Sequence, residues 1–171
     1  VRTHGQHVTQ FCAAGTDPGT AAMADDLARM LTDAGLQTRV NPDVDRVIWA
    51  KVSFNCAMNS LCALLGRTPG PLLDDPETKA LVVATIMEGC DVAAAAGVEV
   101  DRGALRDTIE MVHREHRDHK PSMLVDVENG RRTEIESLNG AVVAAGERLG
   151  VPTPRVQTLL ALIHAREADY L

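Results

Sequence analysis

The sequence predicts a mainly α-helical domain over residues 43–171, preceded by a short strand–helix–strand piece over residues 1–42. Three observations carry that prediction. Aromatic residues make up only 2% of a chain that is 45% hydrophobic, so alanine, leucine and valine must fill aliphatic, helical cores. From Ile48 to Leu65 the only polar side chains are Lys51, Ser53, Asn55, Asn59 and Ser60, and a helix that is apolar around most of its circumference is a buried one. Beyond residue 43, Pro, Asp and Gly mark helix starts and stops, and no convincing strand, internal repeat or low-complexity linker intervenes.

The elements follow in order. His7 to Cys12 alternates and carries β-favouring residues, so it reads as a strand. Thr16-Asp17-Pro18 reads as a helix start, with proline pre-set for the first turn, and Gly35 stops that helix after about Ala34. Leu36 to Val40 resembles a second short strand. This piece is too short to bury its own faces and looks like the last part of an α/β domain whose beginning is absent. Asn41-Pro42-Asp43 is a turn and cap that opens the central helix, which ends near Gly66. Pro69-Gly70-Pro71 reads as a rigid loop. Asp75-Pro76 opens a helix running to Gly97, and Asp101 caps another through about His116. A loop containing Lys120-Pro121 leads to the short segment Ser122–Asp126. Thr133-Glu134-Ile135-Glu136 has the capping-box spacing of a threonine followed three residues on by a glutamate, and opens a helix that ends at Gly150. Thr153-Pro154 starts the last helix.

Composition bounds the function. The 171 residues suit one domain, or one domain and part of another. A formal net charge of −7 argues against nucleic acid or an anionic membrane as partner. No apolar run approaches the roughly 18–20 residues that span a bilayer, and the start lacks the basic end and apolar core of a signal peptide. The four cysteines, Cys12, Cys56, Cys62 and Cys90, form no C-x-x-C pair and lie in apolar surroundings, which reads as buried free thiols in a reducing compartment, with the cytoplasm as default.

Lys51, Asn55 and Asn59 stand at i, i+4 and i+8 and so share one slowly drifting stripe of the central helix. A buried ammonium and two amides are costly unless something polar meets them, which marks a site wall. The plainer account is of interior polar groups satisfied by neighbouring backbone, with the lysine reaching water. Ser122 begins a segment after a proline, and its hydroxyl and the adjacent N–H groups suit a carboxylate, or simply cap the helix. Glu134 falls in a first helical turn, where the dipole favours it in any case. His113, His116 and His119 are spaced as i, i+3 and i+6, yet at helical spacing they do not converge, and a solvated face explains them better than a metal centre. His4 and His7 read as surface residues. No nucleophile elbow, Cys–His signature or G-x-G-x-x-G phosphate loop is present.

Taken as an ordered set, these residues resemble the C-terminal domain of the ketopantoate reductase (2-dehydropantoate 2-reductase) family. The set comprises Trp49-x-Lys51-x-x-x-Asn55-x-x-x-Asn59, Gly70-x-Leu72, Glu88 to Gly97, Ser122-Met123-Leu124-x-Asp126 and Arg132-Thr133-Glu134-Ile135-Glu136. Leu138-Asn139-Gly140, Gly150-Val151-Pro152-Thr153-Pro154 and Glu167 complete it. The resemblance implies a multi-helix domain of the 6-phosphogluconate-dehydrogenase-like type over residues 43–171, with residues 1–42 as the remnant of an NADP-binding Rossmann domain. It implies NADPH-dependent reduction of ketopantoate or a related 2-oxo acid, serving pantothenate and coenzyme A biosynthesis. It places the catalytic lysine at Lys51, substrate-contacting asparagines at Asn55 and Asn59, the substrate-binding serine at Ser122 and the active-site glutamate at Glu134. NADPH would be bound mainly by sequence upstream of Val1, so the chain alone is expected to be inactive. A homodimer through the helical domain is a further expectation. Two other classes compete: a non-catalytic helical dimerisation module, in which the Lys51 stripe tolerates substitution, and a small-acid-binding module without catalysis.

Overall fold

The structure, a computed structural model, describes residues 8–13 and 17–171. His4, His7 and Thr16 lie outside the described residues. The chain divides into two compact units, Val1–Val47 and Ile48–Leu171.

The first unit is a β–α–β piece. Strands β1 (Thr9–Phe11) and β2 (Thr38–Val40) pair in parallel, with Thr9 opposite Thr38 and Phe11 opposite Val40, and helix α1 (Pro18–Asp33) connects them. Asp17 caps α1 by accepting the Thr20 N–H at 2.9 Å, and Pro18 opens its first turn. Ala24 and Ala28 are buried, whereas Met23, Leu27 and Met30 are exposed, so this unit leaves part of the apolar surface of its helix uncovered. Cys12 is exposed, contrary to the expectation of a buried thiol, because it follows β1 in open chain.

From Val44 onward every regular element is helical. Helix α2 (Val44–Leu65) is followed by α3 (Pro69–Asp74), α4 (Pro76–Ala95), α5 (Arg102–Glu115), α6 (Ser122–Glu128), a π-helical turn (Glu136–Gly140) that continues as α7 (Ala141–Leu149), and α8 (Pro154–Glu167). Helix α2 serves two cores at once. Ala57, Met58, Leu61 and Cys62 pack with residues of α3, α4 and α5, while Cys56 and Ala63 pack with residues of α6, α7 and α8. Burial on both sides explains why this helix is apolar nearly all round. By length and composition alone α2 is long and apolar enough to cross a bilayer, contrary to the expectation that no apolar run approaches that length. Half of its most apolar stretch is instead buried inside the protein. Burial raises the Cys56 and Cys62 thiols to about 12, so both are inert neutral groups.

Helix α2 approaches α4 closely where Ser53 meets Gly89. A Cβ at Gly89 would lie 2.5 Å from Ser53 Oγ and 3.1 Å from its Cα, so the contact requires glycine. The buried Glu88 beside it accepts the N–H groups of Arg155 and Val156, each at 3.0 Å, and thereby caps the start of α8 from another helix. Gly150, at φ 71°, closes α7 in the left-handed conformation.

Two local expectations fail. Pro69-Gly70-Pro71 forms the first turn of α3 and not a loop. The first N–H groups of a helix have no intrahelical partner, so prolines there forfeit nothing. The capping box at Thr133 is also absent. Thr133 Oγ1 accepts the Ile135 N–H at 3.2 Å, and the Thr133 N–H is taken by Glu167 of α8 at 2.7 Å. Glu136 pairs instead with His164 of α8 at 2.7 Å. Tertiary partners have replaced the local ones.

Candidate active site

Helix α2 presents Lys51, Asn55 and Asn59 to a cavity of about 590 Å³. Their spacing of four residues on a helix with a turn of about 3.6 keeps them along one side. Burial increases along the stripe, from the exposed Lys51 through the half-buried Asn55 to the buried Asn59. The expected burial of the lysine therefore does not occur. Ile48 and Lys51 lie in the first turns of α2, which the flanking helices leave uncovered, and dense packing begins at Ser53. Among the described residues the lysine ion pairs are Lys79–Glu110 and Lys120–Glu128, so the Lys51 ammonium is uncommitted.

The facing wall comes from α6 and the bend before the π turn. Ser122 is the first residue of α6, with Pro121 in the cap position, so it does not cap the helix as its bland reading required. Its hydroxyl donates to Glu134 Oε1 at 2.7 Å. Asn59 Nδ2 donates to the same oxygen at a longer 3.4 Å. Glu134 itself lies in the bend preceding Ile135, where its carbonyl accepts the Leu138 N–H at 3.1 Å. The structure thus brings Asn59, Ser122 and Glu134 into direct contact and sets Lys51 and Asn55 on the same cavity.

A buried pair of hydrogen bonds through Asn139 ties the two walls together. Ser60 Oγ donates to Asn139 Oδ1 at 3.2 Å, and Asn139 Nδ2 donates to the Cys56 carbonyl at 3.2 Å. Asn139 is fully buried in the π turn, and that extra-wide turn aims it at α2.

The cavity also includes two residues that sequence reasoning set aside, His116 and His119. Helix α5 ends at Glu115, so the three histidines do not share one helix. His113 faces Asp74 at 2.8 Å, while His116 and His119 lie in the connection to α6, their rings 6.5 Å apart. A position between two site-bearing elements is the signal that would have found them. No group of three or more histidine, cysteine or acidic residues is arranged for a metal ion among the described residues.

That connection is fastened to α3. Arg117 donates to both oxygens of Asp74, at 3.1 and 2.7 Å, and the Gly70 N–H donates to the Arg117 carbonyl at 2.9 Å. The hydrogen bonds from Arg117, and next from His113, hold the Asp74 carboxyl down at about 2. A Cβ at Gly70 would sit 3.0 Å from Arg117 Cβ, so glycine lets the connection lie close against α3.

Chemically, the cavity joins an uncommitted ammonium, two amides, a hydroxyl and a carboxylate with apolar surface from Phe54, Met58 and Val112. Such a set suits a small molecule carrying a carboxylate and a carbonyl or hydroxyl oxygen.

The chain is similar to known proteins along most of its length. The family described as "Ketopantoate reductase PanE/ApbA C terminal" matches residues 43–167. A 2-dehydropantoate 2-reductase of Streptococcus pyogenes serotype M1 is 35% identical over 168 residues, covering 98% of this chain and 55% of that protein. Among solved structures, a PanE/ApbA family ketopantoate reductase from Ralstonia eutropha JMP134 superposes with a TM-score of 0.85 at 28% identity, covering 99% of this chain and 54% of that one. D-mandelate dehydrogenase, solved with NADH and anilino(oxo)acetate, superposes with a TM-score of 0.82 at 30% identity, covering 90% of this chain and 51% of that one. The chain spans about half the length of these relatives. With a helical fold shared with these structures and a family match running through every element from α2 to α8, the chain belongs to the ketopantoate reductase family, its residues 43–167 matching that family's C-terminal region.

Proposed function

We propose that this chain is the acid-binding, proton-donating half of a nicotinamide-dependent reductase that converts a 2-oxo acid, ketopantoate first among candidates, to the 2-hydroxy acid. The observation that carries the reading is the convergence of Lys51, Asn55 and Asn59 from one helix with Ser122 and Glu134 from the facing wall on a single cavity. The names of the relatives support the substrate class: 2-dehydropantoate for the reductases, and an oxo acid bound to D-mandelate dehydrogenase.

NADPH supplies hydride in such a reaction. This sequence carries no G-x-G-x-x-G turn, and its residues are assigned no part in holding the dinucleotide. Their own roles follow from donor and acceptor count. Negative charge develops on the carbonyl oxygen as the ketone is reduced, and a hydrogen-bonded cation lowers that barrier. Lys51 Nζ is the uncommitted cation on the cavity, and its proton completes the new hydroxyl. Being exposed, it regains a proton from water. Asn59 has a second N–H beyond the one directed at Glu134, and Asn55 adds two more donors for the acid's oxygens. Ser122 has a single hydroxyl proton, directed at Glu134. Binding of a substrate carboxylate by Ser122 therefore requires the hydroxyl to turn away from Glu134, which couples acid binding to the state of that glutamate.

NADPH oxidation with ketopantoate by the longest natural form of this chain tests the reading, with Lys51→Ala beside it. Turnover that falls at least about 100-fold in the variant is expected, the scale of a lost general acid. Turnover indifferent to Lys51→Ala removes its role. NADPH consumption with other 2-oxo acids alone keeps the reaction and changes the substrate.

A further inference from the structure

We infer that the C-terminal end of α8 is a clasp that positions Glu134, with Glu167 as its principal residue; the inference rests on the cleft being the acid site. His164 and Glu167 stand about one turn apart at the end of α8, and Tyr170 lies in the turn that continues it. Each meets the segment before and within the π turn, in reverse chain order. His164 Nε2 lies 2.7 Å from Glu136 Oε1, Glu167 Oε1 accepts the Thr133 N–H at 2.7 Å, and Tyr170 Oη donates to the Arg131 carbonyl at 3.2 Å.

The three contacts are unequal. The His164 and Glu136 side chains are exposed, and their pairing is a weak surface contact. Glu167 is 7% exposed, and a carboxylate so placed is costly to leave without a partner. Its partner is the backbone N–H immediately before Glu134. With Thr133 Oγ1 holding the Ile135 N–H and the Glu134 carbonyl holding the Leu138 N–H, the chain is pinned on both sides of Glu134. No local group takes the Thr133 N–H, because Thr133 and Glu136 do not close on each other. Glu167 is thus a positioning residue. It touches neither cavity nor substrate, and it acts by keeping Glu134 in register with Ser122 and Asn59.

The test compares Glu167→Ala and Glu167→Gln in the longest natural form, well below the unfolding temperature. Glu167→Ala is expected to speed hydrogen exchange at the Thr133 amide, to move the NMR resonances of the Glu134 side chain, and to lower kcat by roughly 10- to 100-fold, the scale of a displaced catalytic group. Glu167→Gln, whose amide oxygen still accepts, is expected to restore most of each. A folded Glu167→Ala variant with wild-type kcat and unmoved Glu134 side-chain resonances would overturn the inference, even if its Tm has fallen. The two readings part cleanly. If Lys51→Ala leaves turnover normal, the reading of the cleft fails; if Lys51→Ala abolishes turnover and Glu167→Ala does not disturb Glu134, the clasp alone fails.

Discussion

Lys51, Asn55 and Asn59 stand on a 22-residue helix whose middle is buried between two cores, whereas Ser122 and Glu134 stand on a seven-residue helix and a bend. On the α2 wall, side-chain placement follows from helical periodicity, and the packing of Cys56 to Ala63 fixes the backbone. On the facing wall the backbone is irregular, and residues distant in sequence hold it: Glu167 on Thr133, Asn139 on Cys56 and Ser60, Arg117 on Asp74. The first wall is stiff by construction, while the second is stiff only as long as a few specific hydrogen bonds survive. A site built this way can keep the buried Asn59 fixed while Ser122 and Glu134 on the facing wall adjust.

The comparison can be broken most severely at Asn139, the residue that joins the two walls. Asn139→Leu removes both of its bonds and leaves Ser60 Oγ buried without its partner, at a cost of about 2–3 kcal/mol in chemical unfolding. Gly89→Ala attacks the α2 wall alone. The added methyl meets the Ser53 backbone as well as its hydroxyl, so rotation of the serine does not relieve it, and about 1–3 kcal/mol of stability is lost. Ser122→Ala acts on the facing wall without disturbing the fold. It deletes the hydrogen bond to Glu134, worth about 1 kcal/mol, which predicts a melting temperature lowered by a few degrees, and it removes the hydroxyl proposed to hold the substrate carboxylate, which predicts KM raised by several-fold.

The smallest effect concerns the fastening of the connection that carries His116 and His119. The carboxyl of Asp74 titrates at about 2 in the folded chain, below its ordinary 3.8, so its stabilisation is fully present above pH 3.8 and is lost as pH falls toward 2. Urea unfolding of wild type and Asp74→Asn should show a gap that holds down to about pH 4 and closes below it. A gap that widens on acidification would contradict the assignment.

The difference between the walls also explains which of them the sequence disclosed. The Lys51 stripe was legible because helical period alone places i, i+4 and i+8 together. Its burial was misjudged at Lys51, since an apolar run records which residues favour an interior and not how far the neighbouring helices extend to cover them. The facing wall was legible only through its resemblance to a family. Thr133 and Glu136 satisfy a capping-box spacing, yet Glu167, some thirty residues later, takes the N–H that the box would have bound. Pro69 and Pro71 mimic a loop although both fall in the first turn of α3, where proline is tolerated. His116 and His119 escaped because charged neighbours and helical spacing read as a solvated face, whereas both lie in the connection after α5 and line the cavity. Each miss falls where a tertiary partner or an element boundary overrides a local pattern.

The central claim is that the two walls act on one substrate. The most direct test is kcat/KM with ketopantoate for Lys51→Ala, Glu134→Ala and the double variant, all in the longest natural form. Residues that work on one transition state lose their effects together, so the double variant should fall little further than the worse of the single ones. Losses that multiply, or a Glu134→Ala variant as active as wild type, would show that the facing wall takes no part in the chemistry that Lys51 performs.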